Sequence, residues 1–90
     1  MISDENLAIQ VRGGNKELFG TLIDRYEAKL TRYVSRFIQT EEDVVDIVQN
    51  IFVKAYVHLQ TFDVSRSFNA WIYRIAHNEC VVPLSNICHK

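Results

Sequence analysis

From Lys16 to Ile38 the apolar residues return at Leu18/Phe19, Leu22/Ile23, Tyr26, Leu30, Tyr33/Val34 and Phe37/Ile38. This i, i+3, i+4, i+7 spacing persists for roughly five turns or more. It predicts one long amphipathic helix with an apolar stripe that must be covered by other elements. Asp24, Arg25, Glu27, Lys29, Arg32 and Arg36 occupy the remaining surface. A strand cannot use this pattern, because its side chains alternate with a period of two.

The rest of the chain reads the same way. Asp4 to Arg12, with Leu7, Ile9 and Val11, predicts a short first helix stopped by Gly13-Gly14, after which Asn15 is placed to cap the long one. Thr40-Glu41-Glu42-Asp43 marks the next start: Thr40 is a capping residue, Asp43 can reach back, and the acidic turn suits the positive end of a helix dipole. That helix should run to about Gln60 on Val44, Ile47/Val48, Ile51/Phe52, Ala55/Tyr56 and Leu59. A polar loop, residues 61–67, follows. Ser65 or Ser67 then caps a last helix through Phe68, Trp71, Ile72, Ile75 and Ala76, which Pro83 should end within a residue or two. The expected fold is all-α: a compact bundle of three to four helices. Three glycines and one proline in 90 residues leave few places to break it.

Composition narrows the function classes. A 48% apolar chain is not a disordered tail. A net charge of −1 argues against an autonomous duplex binder, which needs a basic excess to displace phosphate counterions. Any DNA contact should be local or assisted by a larger partner. Cys80 and Cys88 form no paired motif, the N-terminus lacks an apolar signal region, and no run is long enough for a membrane span, so the cytoplasm is the expected compartment. Glycine-rich phosphate loops, a nucleophile elbow and a zincin motif are all missing, so no enzymatic activity and no cofactor are expected. His77, Cys80, Cys88 and His89 include zinc-ligand types, but their spacing does not favour a structural site.

Two constellations carry candidate function. On the Thr40–Gln60 helix, Asp43, Asp46, Gln49, Asn50, Val53 and Val57 form a stripe that the core does not use. Its mixture of carboxylate, amide and exposed valine suits docking on another protein's helix, although such a face can also be plain solvated surface. Further on, Phe62, Phe68, Trp71 and Tyr73 stand among Asp63, Ser65, Arg66, Asn69, Arg74, His77 and Asn78. Aromatic planes can stack on unpaired bases, amides and hydroxyls can read base edges, and arginines can meet phosphate. The same aromatics at helical spacing also suit a core.

Taken together, Asp46-Ile47-Val48-Gln49-Asn50-Ile51-Phe52-Val53-Lys54-Ala55-Tyr56, Leu59-Gln60-Thr61-Phe62-Asp63 and Phe68-Asn69-Ala70-Trp71-Ile72-Tyr73-Arg74-Ile75-Ala76-His77-Asn78-Glu79 resemble region 2 of a bacterial extracytoplasmic-function sigma factor. Phe19-x-x-Leu22-x-x-x-Tyr26-x-x-x-Leu30-x-x-Tyr33 is similar to the first helix of that region. The resemblance implies a module that binds core RNA polymerase and recognises and melts the minus-ten promoter element. It places Asp46 and Gln49, supported by Asp43, Asn50 and Val53, on the clamp helices of the polymerase β′ subunit. It places Phe62, Asp63, Ser65 and Arg66 around a base flipped from the non-template strand, with Trp71, Arg74, His77 and Asn78 facing the melted strand. An anti-sigma factor is a further implied partner. After Glu79 the likeness stops. Residues 1–80 are expected to form the region 2 unit and 81–90 a divergent tail, with no second, helix-turn-helix domain. The rival reading is a helical interaction module or decoy that occupies polymerase or an anti-sigma factor without reading a promoter.

Overall fold

Among the described residues four α-helices form in the order the apolar period dictates. In the computed structural model, which describes the backbone of residues 2–89 and the side chains of residues 2–81, α1 is Asp4–Arg12, α2 Leu18–Ser35, α3 Glu41–His58 and α4 Phe68–His89. A 3₁₀ turn, Leu59–Thr61, extends α3. The described residues contain no strand. α2 packs on α3 and α3 on α4, while α1 lies across α2, α4 and the 3₁₀ turn.

The expected stripes meet in one core. Leu22, Tyr26, Leu30 and Val34 from α2, Val44, Ile47, Val48, Ile51, Phe52 and Ala55 from α3, and Phe68, Ile72, Ala76 and Cys80 from α4 are buried together. Where the sequence offers two adjacent apolar residues, the structure chooses between them. Ile38 is buried and Phe37 exposed; Ala55 is buried and Tyr56 exposed. In α1 the buried set is Leu7, Ala8 and Val11, and the expected Ile9 faces outward, because one helix face cannot hold residues two apart.

Helix ends show where local chemistry and tertiary structure divide the work. α1 stops at Gly13, and Gly14 takes φ 115°, a backbone shape that a side chain would strain. Asn15 contributes its carbonyl, which accepts from the Leu18 amide at 3.2 Å, and α2 therefore begins through a tight turn at Glu17 without a side-chain cap. Thr40 stands at the predicted boundary of α3 in extended conformation, but its side chain makes no capping bond. Glu41, Glu42 and Asp43 then populate the first turn, where the dipole favours them. Of the two serines considered for α4, Ser67 is the cap: its Oγ accepts from the Ala70 amide at 3.1 Å. α4 continues past Pro83, where the sequence predicts a stop. Proline deletes one amide donor and can bend a helix without ending it.

α1 is fastened by its acidic end. Asp4 accepts from the Tyr26 hydroxyl at 2.5 Å and from Arg25 at 2.8 Å, both on α2. Burial, then the bond to Asp4, push the Tyr26 phenol above its ordinary range. Glu5 accepts the Phe68 amide at 2.7 Å and so satisfies a donor at the start of α4 from 63 positions away. Between α3 and α4, Lys54 pairs with Glu79, the one buried charged residue among those described.

Candidate nucleic-acid interface

The 3₁₀ turn tightens the end of α3, with Thr61 Oγ1 donating to the His58 carbonyl at 2.8 Å, and delivers Phe62 in extended conformation. Phe62 is only 3% exposed. Its ring sits edge-on to Phe68 (5.6 Å, 86°) and tilted against Trp71 (4.9 Å, 45°). Its carbonyl accepts from Arg12 Nη1 at 3.2 Å. Phe62 is thus the floor of the site, with little of its ring exposed. Trp71, half-buried at the rim, keeps a free face.

The loop after Phe62 is folded around one carboxylate. Asp63 Oδ1 accepts from the Ser65 amide at 3.0 Å and from the Ser65 hydroxyl at 2.6 Å, and its Oδ2 lies 3.5 Å from Arg66 Nε. These Ser65 bonds hold the Asp63 carboxyl below its usual pKa, with Arg66 adding to the effect. Asp63 therefore stays an ionised acceptor, and Ser65, whose proton is committed, is left to accept from a ligand amine.

These elements enclose a cleft of about 470 Å³ lined by Thr61, Phe62, Asp63, Arg66, Ser67, Ala70, Trp71 and Arg74, within the ~300–1,000 Å³ range of small-ligand sites. It combines an aromatic floor, one carboxylate and two exposed guanidiniums, the groups needed to stack a base and hold its phosphates. Five of the expected residues, Phe62, Asp63, Arg66, Trp71 and Arg74, meet here. Ser65 sits on the exposed loop beside them, and Asn78 lies one turn beyond Arg74 on the exposed side of α4. His77 does not join them. Its Nδ1 is 3.3 Å from the Tyr33 hydroxyl and its ring stands edge-on to Phe37, on the side of α4 that meets α2. Ser67 closes the expected loop, whereas Thr61 and Ala70 were missed, although 67, 70, 71 and 74 share one helical row.

The expected polymerase stripe is fully exposed: Asp43, Asp46, Gln49, Asn50 and Val53 all face outward. Its two ends differ. Asp46 adjoins Glu41, Glu42 and Val45 around a shallow depression. Val53 lines an apolar groove of about 280 Å³ with Phe19, Ile23, Phe52, Tyr56 and Val57. Among the zinc-type residues, Cys80 is fully buried, with its thiol pushed up by burial and then by the Glu79 charge, whereas His77 faces Tyr33. The Cys88 and His89 side chains lie outside the described residues. No helix among the described residues is long and apolar enough to cross a membrane.

The family model for sigma-70 region 2 matches residues 22–82, which takes in most of α2, all of α3 and the whole cleft. The chain belongs to the sigma-70 region 2 family. Similar relatives are the ECF RNA polymerase sigma factor SigW of Bacillus subtilis and the ECF RNA polymerase sigma-E factor of Haemophilus influenzae. The first is 36% identical over 69 residues, covering 77% of this chain and 37% of SigW. The second is 41% identical over 81 residues, covering 86% of this chain and 40% of that factor. The chain spans about two fifths of the length of these relatives. An engineered region 2 of sigmaE, solved by NMR in complex with GTAAAA, superposes with a TM-score of 0.88 at 39% identity, covering 94% of this chain and 88% of that one. CnrH, solved in complex with the cytosolic domain of CnrY, superposes at 0.81 with 40% identity, covering 86% and 50%. In this sigma region 2 chain, α1 precedes the matched segment, yet through Glu5 and Arg12 it holds both ends of the cleft loop.

Proposed function

We propose that the chain acts in transcription initiation in the cytoplasm as a region 2 module. On this reading α3 docks on the β′ clamp helices of core RNA polymerase, and the cleft beside Trp71 takes an unpaired base of the minus-ten element's non-template strand. The observation that carries the reading is the cleft itself. An aromatic floor and a loop already folded on Asp63 lie in a chain that superposes at 0.88 on a region 2 solved with GTAAAA. Preorganisation matters because a ligand then does not have to order the loop. Asp63 and Ser65 supply acceptors, Trp71 a stacking plane worth ~1–3 kcal/mol per base, and Arg66 and Arg74 cations for the backbone. Asp43, Asp46, Gln49, Asn50 and Val53 make the polymerase face. Nothing in this function requires covalent chemistry: binding energy is spent on holding DNA open. On this reading residues 1–80 are the region 2 unit and 81–90 a tail divergent in sequence.

The test compares a non-template minus-ten oligonucleotide, single-stranded and duplex, with and without core polymerase. Free protein should bind duplex weakly with a shallow salt dependence, since its net charge is −1. Strand-selective binding should appear with core enzyme and weaken in Trp71→Ala and Asn78→Ala. Tight duplex binding by the free chain, or unchanged strand binding in both variants, would overturn the assignment. A second reading has its own support. CnrH is solved with the cytosolic domain of CnrY, and the apolar groove at Val53 and Val57 suits a protein partner such as an anti-sigma factor. Competition for core without any strand selectivity would favour it.

A further inference from the structure

We propose that α1, which precedes the segment matched to the family, is a spacer that sets the width of the base cleft, with Glu5 and Arg12 as positioning residues for the unpaired base. Base binding and α1 docking are then coupled, although none of the cleft's described lining comes from α1. This rests on the base cleft proposed above and names what holds it in shape.

The loop does not fix its own width. An extended chain from Phe62 could carry Phe68 up to ~20 Å away. Among the described residues, the loop's internal bonds close the turn from Asp63 to Arg66. Ser65 binds the Asp63 carboxylate, and the Arg66 amide donates to the Asp63 carbonyl at 2.9 Å. Neither end of the loop is held by that turn. Each end is tied to α1 instead. Arg12 Nη1 donates to the Phe62 carbonyl at 3.2 Å, and Glu5 Oε2 accepts from the Phe68 amide at 2.7 Å. Both bonds are partly buried, where water competes less with them.

Their spacing makes α1 a rail. Glu5 and Arg12 stand two turns apart, ~10.5 Å along the axis and within ~20° of one another around it. The helix cannot change that separation without breaking its own backbone bonds. It also has its own anchorage: Asp4 binds Tyr26 and Arg25 of α2, and Leu7, Ala8 and Val11 are buried. What the rail sets is the aromatic floor. Fixing the Phe62 carbonyl and the Phe68 amide keeps the two rings 5.6 Å apart, and Trp71 packs on both, at 4.9 and 5.5 Å. The plane on which a base stacks thus takes its tilt from α1. Such coupling is reciprocal, so a base that prefers the ordered floor tightens α1 in return.

The experiment holds the chain on core RNA polymerase and titrates dye-labelled GTAAAA by anisotropy, against a set of hexamers that each lack one base. The readout is the affinity ratio of full to abasic strand at the position where wild type loses most. This ratio cancels the general charge effect of a substitution. In wild type it should be ~5–150-fold, the range that stacking one base on an aromatic ring gives. Glu5→Ala and Arg12→Ala should each lower it ~2–10-fold, up to the worth of the one hydrogen bond removed. Glu5→Gln keeps an acceptor for the Phe68 amide and should keep the wild-type ratio. Val44→Ala, a buried truncation in the first turns of α3, controls for lost stability and should also keep it. Hydrogen exchange on the wild-type complex reads the coupling from the other side: the α1 amides should gain protection with GTAAAA and not with the abasic strand. Unchanged ratios in both alanine variants, a Glu5→Gln ratio as low as that of Glu5→Ala, an equal fall in Val44→Ala, or α1 exchange indifferent to the base overturns the spacer and leaves the base cleft standing. A wild-type complex that binds every abasic hexamer as well as GTAAAA overturns the base cleft, and the spacer with it.

Discussion

Phe68→Ala tests the join between core and cleft. Phe68 is fully buried and touches three rings: Tyr26 at 5.5 Å, Phe62 at 5.6 Å and Trp71 at 5.5 Å. Truncating a buried phenylalanine costs ~3–5 kcal/mol in lost burial and residual cavity. At ~0.05–0.15 kcal/mol per residue, this chain has about 5–13 kcal/mol in total. The variant should therefore be marginal, with a melting temperature lower by about 12–40 °C at ~4–8 °C per kcal/mol. Thermal melts followed by far-ultraviolet circular dichroism, paired with urea titration, measure the loss. Phe68→Leu keeps most of the apolar volume but removes the ring contacts, and should cost about 1–2 kcal/mol. Because Phe62 and Trp71 then lose their common backing, the leucine variant should stay folded and bind the minus-ten strand several-fold more weakly. A Phe68→Ala protein melting within a few degrees of wild type would refute the core placement. Full strand binding by the leucine variant would refute the claim that this floor positions Trp71.

Asp46→Ala with Gln49→Ala should weaken core-polymerase capture about tenfold while changing stability by under ~1 kcal/mol, since both residues are exposed; equal capture would mark the stripe as solvated surface. Asp63 has a lowered folded pKa, so its contribution to loop order is complete above the unfolded value and is lost as pH falls through the folded one. The Ser65 amide resonance should accordingly titrate with a midpoint below the ordinary ~3.9, and a midpoint at or above that value contradicts the turn. Lys54→Ala leaves Glu79 buried without its partner; as Lys54 is 54% exposed, the loss should be about 1–2 kcal/mol, between surface and buried pairs. A urea midpoint identical to wild type would show that Glu79 is otherwise compensated.

The helix bodies were legible because burying a stripe on a 3.6-residue period is a local constraint that Leu22, Tyr26 and Leu30, or Ile47, Ile51 and Leu59, satisfy without reference to anything distant. So were a serine cap on α4, left open between Ser65 and Ser67, and the exposure of Asp46 and Gln49. The motif order placed the base site within residues 62–78, of which Phe62, Asp63, Arg66, Trp71 and Arg74 line the cleft. What periodicity could not decide is which of two adjacent apolar residues turns inward, as at Phe37/Ile38 and Ala55/Tyr56, because the crossing of a neighbouring helix makes that choice. Nor could it divide the aromatic set. Phe62 and Phe68 became floor, Trp71 rim and Tyr73 part of another cleft only once α1 and α2 had packed against α4. The Glu5 carboxylate on the Phe68 amide and the Asp4 grip on Tyr26 span 63 and 22 positions. No local propensity encodes such bonds. They exist because burying α1 brings unpaired carboxylates beside orphan donors, and satisfying both is what fixes the geometry of the cleft.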